Sequence, residues 1–204
     1  MQYVTDLTGL ASIASAGATA VLLLSGIVRL PGKMLLLLSL TLFVLMLIPF
    51  GSLPVAAYLR GITGDLSITT LVLMWCALIR AGLTCNREGT GNRIVLLALV
   101  ALAALILYPM SLGLGTFDPY RLGYGDQTFV IVVLLSAFMA WIWKQYLIAG
   151  SISLATLAWT AGWYESGNLW DYLIDPWVAI YALSALTLLG TKKLASLRKQ
   201  HVPG

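Results

Sequence analysis

The sequence predicts an all-α integral membrane protein: a single domain of seven transmembrane helices, with the N-terminus outside and the C-terminus in the cytoplasm. Three observations predict this fold class. The 204 residues are 60% hydrophobic and only 10% charged, whereas a soluble domain carries about 25% charged residues. The apolar runs are continuous. Lys and Arg are also sorted to one side of the layout that these runs imply.

The continuous apolar runs indicate helices and not the strands of a β-barrel, which would alternate apolar and polar residues. Examples are MLLLLSLTLFVLMLI and FVIVVLLSAFMAWIW. A helix satisfies its own backbone hydrogen bonds, as a segment in lipid must. Seven runs come close to the roughly 20 residues that a bilayer core requires. The predicted spans are approximately 8–29, 33–50, 66–83, 93–112, 127–144, 146–164 and 172–190.

Three segments decide how these spans connect. Asp6 precedes the first apolar core and Arg29 follows it, which is the reverse of a secretory signal peptide. After the second span, Pro49 and Pro54 end the helix, and PVAAYLR predicts a short helix at the membrane interface. The sixth span is rich in Gly, Ser and Thr. It is retained because omitting it would put the basic C-terminal tail outside.

The charges test this layout. Ten of the twelve basic residues fall on the inner side, as the positive-inside rule requires: Arg29, Lys33, Arg80, Arg87, Arg93, Lys144, Lys192, Lys193, Arg198 and Lys199. Seven of the eight carboxylates fall outside: Asp6, Asp65, Asp118, Asp126, Glu165, Asp171 and Asp175. Acidic residues contribute little to that rule, so their sorting needs another explanation.

A set of carboxylates and aromatic residues on the outer side, here called the acidic rim, is the candidate ligand site. It centres on the loop Leu112–Gln127, the longest polar interruption in the chain. Aromatic faces beside carboxylates suit a sugar ring, a lipid headgroup or a cationic ligand. The alternative for the aromatic residues is an interfacial belt. The candidate ligand-binding residues are Asp118, Tyr120, Arg121, Tyr124, Asp126, Glu165, Trp170, Asp171 and Asp175.

Three of the outer carboxylates have a simpler explanation as helix caps. Asp65, Asp126 and Asp175 each stand just before a predicted helix. A carboxylate there accepts hydrogen bonds from free backbone N–H groups and complements the helix dipole. Capping does not explain the remaining rim carboxylates.

Small residues repeat along the first helix at the spacing that lets helices approach closely. This spacing has two uses, packing inside the bundle or docking onto another membrane subunit. The candidate partner-docking residues are Ala11, Ala14, Ser15, Ala18 and Thr19.

The sequence excludes several kinds of site. The only histidine is His201, in the C-terminal tail. Its position removes bis-histidine haem ligation, histidine zinc sites and most histidine general-base mechanisms. The last helix has no internal lysine to bind retinal, and Cys76 and Cys85 are too few for a disulfide framework. We therefore expect no cofactor and no metal, with a cation held by Asp118, Asp126 and Asp171 as a weaker alternative.

These observations favour a non-catalytic membrane subunit that docks onto a larger envelope-biosynthesis or transport partner in a bacterial inner membrane. The alternatives are a transporter or flippase component that binds a polar or headgroup ligand at the rim, and an enzyme acting on a lipid-linked substrate there. Expected partners are membrane lipids and either a larger membrane protein or further copies of the chain. The basic inner face is attributed to topology and anionic lipid, not to nucleic acid.

Overall fold

The chain is a bundle of α-helices in a computed structural model that describes residues 2–27, 30–82 and 90–200. A hairpin of two short strands, β1 (Pro49–Phe50) and β2 (Leu53–Pro54), connects the second and third helices. A 3₁₀ turn, Pro119–Gly123, lies between the fifth and the sixth. The α-helices of the described part are α1 (Gln2–Ile27), α2 (Gly32–Leu47), α3 (Val55–Thr63), α4 (Ile68–Gly82), α5 (Thr90–Ser111), α6 (Gln127–Ile142), α7 (Tyr146–Thr160), α8 (Leu169–Leu173) and α9 (Pro176–Gln200).

Each predicted span overlaps one of these helices, and α3 is the short helix that PVAAYLR predicted. Helix α1 begins six residues before its predicted span, and α9 extends to Gln200, ten residues beyond its predicted end. The last span begins later than predicted. Residues from 172 onward were assigned to one helix, but α8 ends at Leu173 and α9 begins at Pro176. Proline favours the first position of a helix because it has no N–H to leave unsatisfied.

Within the described residues, two helices are long and apolar enough to cross a membrane by length and composition, Gly91–Ser111 and Pro176–Ser196. They are the part of the fold that is consistent with a membrane protein. Five further apolar helices have between 10 and 17 residues: Leu7–Leu22, Gly32–Leu47, Ile68–Gly82, Gln127–Ile142 and Tyr146–Thr160. Their length alone does not give a crossing.

Helix α4 joins the two halves of the bundle. On one side α1 packs against α2, α3 and α4, with Ile13 and Val21 of α1 buried in two small apolar clusters. On the other side a larger core is formed by α4 to α9. Many large apolar side chains of α5, α6 and α9 lie on the outside of the bundle.

The acidic rim lies at one end of the bundle, where α4, α6 and α9 begin and α5 and α7 end. We call this end the rim end. At the opposite end the start of α2 lies against the end of α4, where a Cβ on Gly32 would be 2.2 Å from the carbonyl oxygen of Gly82. The side chains of Asp6, Arg198 and Lys199, and the residues Arg29, Cys85, Arg87, Glu88 and His201, lie outside the part of the chain described here.

Candidate functional site: the acidic rim

The loop between α5 and α6 is shaped by a 3₁₀ turn that Asp118 caps. An Asp118 side-chain oxygen accepts a hydrogen bond from the backbone N–H of Tyr120 at 3.0 Å, and Pro119 follows at the first position of the turn. Capping was not expected to explain Asp118. The turn is short and irregular in sequence, so no apolar periodicity marks its start.

Asp171 of α8 is the acceptor at the centre of the rim. The hydroxyl of Tyr120 lies 2.9 Å from both carboxylate oxygens of Asp171. The Ser166 hydroxyl donates to one of the same oxygens. Burial, followed by this hydrogen bond to Asp171, raises the pKa of Tyr120 above its ordinary value. Tyr120 is therefore a neutral donor, and both oxygens of Asp171 are occupied by the chain's own hydroxyl groups.

Asn168, which the sequence analysis did not select, ties α8 to the 3₁₀ turn. It is fully buried. Its amide nitrogen donates to the carbonyl of Tyr120 at 2.9 Å, and its amide oxygen accepts from the N–H of Trp170 at 3.0 Å. The Trp170 indole N–H donates in turn to the carbonyl of Pro119 at 3.0 Å. An Asn just before LWDYL can be recognised from the local sequence as an N-cap. Its contact with Tyr120, 48 residues away, has no such sequence signal.

Gly123 permits this contact between the turn and α8. A Cβ at Gly123 would lie 1.7 Å from the side-chain oxygen of Asn168 and 2.8 Å from the Trp170 ring. The side chains of Asn168 and Trp170 therefore lie against the backbone of the turn at a distance that only glycine allows.

Tyr164 and Tyr172 belong to the interior and not to an interfacial belt. Both are buried, with ring centroids 5.0 Å apart. The Tyr172 hydroxyl accepts from the backbone N–H of Tyr164 at 2.9 Å and lies 3.2 Å from the carbonyl of Ser166. This pair closes the loop between α7 and α8 over the core.

Asp175 caps α9, as predicted, and also joins α9 to α4. It is buried. One oxygen accepts from the N–H of Val178 at 2.7 Å. The other accepts from the N–H of Ser67 at 2.7 Å and from the hydroxyl of Thr70 at 2.5 Å. Three donors therefore hold a carboxylate that would otherwise be costly to bury.

The prediction that Asp65 caps α4 is wrong. Its carboxylate instead faces Arg60, with one oxygen 2.6 Å from Nε and the other 2.9 Å from Nη2. Ser67 takes the capping position, since its hydroxyl accepts from the N–H of Thr70. The Arg60 guanidinium also lies 3.5 Å from Glu165, a largely exposed side chain. A Cβ on Gly9 of α1 would be 2.5 Å from that guanidinium, so α1 packs directly on the ion pair.

Asp126 caps α6 as predicted, accepting from the N–H of Phe129 at 2.9 Å. Tyr124 and Arg121 are exposed, as are Asp126 and Glu165. The Tyr124 ring meets that of Tyr120 edge-on at 5.8 Å between centroids. Arg121 forms no ion pair with any residue that the structure describes. Both side chains are therefore accessible at the surface of the rim end.

The weaker alternative, a cation held by Asp118, Asp126 and Asp171, has no assembled site. Asp118 and Asp126 cap two different helical segments and Asp171 receives hydroxyl groups. Across the described ranges, no group of three or more His, Cys, Asp or Glu side chains could hold a metal ion.

The small residues of α1 lie inside the bundle. Ala14, Ser15, Ala18 and Thr19 are buried and Ala11 is half-buried. Gly17 lies so close to α2 that an added Cβ would be 2.9 Å from Met46. These residues therefore provide the close packing of α1 on its neighbours, the first of the two uses that their spacing allows.

A cationic contact that the sequence analysis missed links α5 and α9 away from the rim. The Arg93 guanidinium hydrogen-bonds to the hydroxyl of Tyr181, and its carbon lies 5.8 Å from the centre of that ring. The flexible arginine stem lets a charged head reach a partner on the neighbouring helix. The sequence spacing of 88 residues gives no signal of this pair.

No protein-family model matches the chain, and neither the curated proteins nor the solved structures contain a significant match to it.

Proposed function

We propose that the chain is a non-catalytic integral membrane subunit that crosses a bacterial inner membrane seven times, with its rim end outside and its C-terminus in the cytoplasm. The observation that carries the proposal is the use of the rim carboxylates. Asp118, Asp126, Asp171 and Asp175 all accept hydrogen bonds from the chain's own backbone or hydroxyl groups.

This use of the carboxylates also explains why the acidic residues gather on one side. A general acid or base must reach a proton of the substrate. The rim carboxylates instead hold the 3₁₀ turn, α6, α8 and α9 in place. These carboxylates share one end of the bundle because several helices begin there. The positive-inside rule concerns Lys and Arg and does not account for their position.

The seven crossings are supported by the exterior of the bundle. Leu102 and Leu105 of α5 are both 58% exposed, and Leu157 of α7 is 63% exposed. Exposed apolar side chains along the middle of several helices suit lipid as the solvent. The orientation is supported by Lys33, Arg80 and Lys144, which fall at helix ends away from the rim.

The surface most suited to a partner is the exposed apolar segment Leu112–Phe117, just before the rim. Leu112 is 82% exposed and Leu114 is 81% exposed, although the segment is fixed at both ends by α5 and the capped turn. An apolar patch rimmed by polar residues is typical of an interaction site. We propose that the extracytoplasmic part of a larger membrane protein binds here, because α1 is already covered by its own neighbours.

The test is purification of the tagged full chain from its native membrane in mild detergent. We expect a larger membrane protein to co-purify at fixed stoichiometry. Leu114→Ser should reduce the co-purified amount by at least about tenfold, equivalent to roughly 1.4 kcal/mol of binding free energy. Leu194→Ser, which changes an exposed leucine of α9 far from the rim, is the matched control and should leave the yield unchanged.

Three results would contradict this function. One is a chain that purifies alone at normal membrane abundance. Another is equal loss of the partner in both leucine variants. The third is turnover of a lipid-linked substrate that Asp171→Asn abolishes without lowering the amount of folded protein, which would establish the enzyme alternative.

A further inference from the structure

A groove with a volume of about 550 Å³ runs between α6 and α7 and opens to the outside of the bundle. Its walls are the large side chains of Leu134, Phe138, Trp141 and Tyr146, and small residues, among them Ala137 and Gly150, form its floor. The volume falls within the range of about 300–1,000 Å³ that is usual for ligand sites. The lining is mainly apolar, although it includes Ser153 and Tyr146, so an apolar occupant fits it.

The groove follows from the sequence spacing of the two helices. On α6, Leu134, Phe138 and Trp141 recur every three or four residues and therefore share one face. On α7 the small residues take the matching face. Nothing lies within 4 Å of the position where a Cβ on Gly150 would stand. The helices pack side by side, but this stripe between them remains unfilled.

The two helices are joined by a tight turn that places a lysine at one end of the groove. Lys144 has a φ of 57°, a left-handed conformation that non-glycine residues seldom adopt. Its side chain is exposed and forms no ion pair within the described part of the chain. Trp141 and Tyr146, whose rings suit the boundary between headgroups and acyl chains, line the groove on either side of this turn.

The groove spans about two thirds of the hydrocarbon depth of one leaflet. Leu134 and Trp141 are seven residues apart on α6, which is roughly 10 Å along a helix axis. Half of the hydrocarbon core of a bilayer is about 15 Å. An occupant with its polar end at Lys144 would therefore place its apolar part in the leaflet on the Lys144 side.

We infer that this groove binds an anionic phospholipid of the cytoplasmic leaflet, with one acyl chain between α6 and α7 and the headgroup phosphate on Lys144. The inference rests on the proposed seven-crossing arrangement, which puts the α6–α7 turn at the cytoplasmic surface. The lysine ammonium pairs with the phosphate as a point charge. The apolar floor contacts the acyl chain, and the rings of Trp141 and Tyr146 lie beside the end of that acyl chain nearest the headgroup.

The experiment is native mass spectrometry of the detergent-purified full chain. Palmitoyl-oleoyl phosphatidylglycerol is compared with phosphatidylcholine carrying the same chains. The wild-type chain should retain one phosphatidylglycerol more strongly than phosphatidylcholine. Lys144→Gln should weaken phosphatidylglycerol binding by about fivefold, the factor associated with one cation at an anionic surface. It should weaken phosphatidylcholine binding less, because the choline ammonium offsets the charge of that phosphate. Lys192→Gln, an exposed lysine on α9, is the matched control.

A second pair of variants tests the groove itself. Gly150→Leu should fill it and reduce the retention of both lipids by at least about tenfold. Gly190→Leu makes the same change on α9, at a helical glycine that also has nothing within 4 Å of its Cβ position, and should have no effect. Both leucines replace a weak helix former by a strong one, so a difference between them reports the groove.

Several outcomes would overturn the inference. Equal retention of the two lipids with no effect of Lys144→Gln would show that no headgroup is selected. Equal loss in Gly150→Leu and Gly190→Leu would place the lipid elsewhere. Dissociation of a dimer by Gly150→Leu would show that a second copy occupies the groove. Failure of the proposed integral membrane arrangement is recognised separately, because alkaline carbonate would then release the wild-type chain from membranes before any lipid measurement.

Discussion

At the scale of single residues, the rim shows which contacts a sequence can reveal. Asp126 and Asp175 were predictable as caps because the capped N–H lies three residues further along the chain. Asp65 was not, since Ser67 stands closer to the start of α4 and Arg60 faces the carboxylate across a turn. Asn168 was missed because its most distant partner, Tyr120, has no local relation to it.

The first prediction concerns Gly123. Gly123→Ala would place a Cβ against the buried amide of Asn168, 1.7 Å away before relaxation. We expect the variant to lose about 1–3 kcal/mol of stability, the usual cost of overpacking a filled site. The measurement is the thermal unfolding midpoint of the chain in detergent.

Gly167→Ala is the control for Gly123→Ala, because a Cβ there meets nothing within 4 Å. It should unfold at or slightly above the wild-type temperature, since alanine restricts the unfolded chain. In addition, Asn168→Ala should cost less in the Gly123→Ala background than alone, because the two side chains compete for one space. Equal unfolding midpoints for the two single glycine variants would show that the close approach of Gly123 to Asn168 does not affect stability.

At the scale of elements, the apolar runs located the helices well and their junctions poorly. The bounds of α4, α6 and α7 lie within four residues of the predicted spans. An uninterrupted apolar run is sufficient to locate a helix of this kind. The β1–β2 hairpin and α8 were not predicted. Each has only two to five residues, so its shape depends on contacts with other elements and not on periodicity.

The second prediction concerns the junction of α4 and α9. Asp175→Asn keeps the shape of the side chain but replaces one acceptor oxygen by an amide that donates. At least one of the donors from Ser67, Thr70 and Val178 would then face another donor. We expect a loss of about 2–3 kcal/mol in the free energy of unfolding, the range for hydrogen bonds to a charged group. Chemical unfolding of the purified chain measures it.

Asp126→Asn is the matched control for Asp175→Asn. Asp126 is exposed and accepts from one backbone N–H, that of Phe129. Asparagine caps a helix about as well as aspartate, so the stability should change by less than about 0.5 kcal/mol. Similar losses in both variants would mean that the buried link between α4 and α9 contributes no more than an ordinary cap.

At the scale of the whole molecule, the predicted arrangement of the chain in a membrane depends on its composition and on the distribution of its charges. The all-α class and two membrane-capable helices agree with the sequence. The number of crossings and their direction stay predictions, because they depend on a solvent that acts on the whole surface of the bundle. Lys144 and the rim carboxylates lie at opposite ends of α6, which makes that direction measurable with single reporters.

The third prediction is a labelling pattern. In a background with Cys76 and Cys85 replaced by serine, Gln127→Cys at the rim end, outside the proposed partner surface, should react with a membrane-impermeant maleimide in intact cells. Lys192→Cys should react only after lysis. Both native residues are exposed, so accessibility in the folded chain is matched. Labelling of Lys192→Cys in intact cells would place the end of α9 outside and would contradict an odd number of membrane crossings.

In the proposed seven-crossing arrangement, the unequal helix lengths have a consequence for the surrounding bilayer. Helices α4, α6 and α7 have 15, 16 and 15 residues, or about 22–24 Å each. Helices α5 and α9 have 22 and 25 residues and reach about 33–38 Å. A hydrocarbon core of about 30 Å matches neither group. Lipid would have to thin beside α6 and α7, while α5 and α9 tilt to shorten their projection. The protein would therefore carry a thickness gradient around its own perimeter.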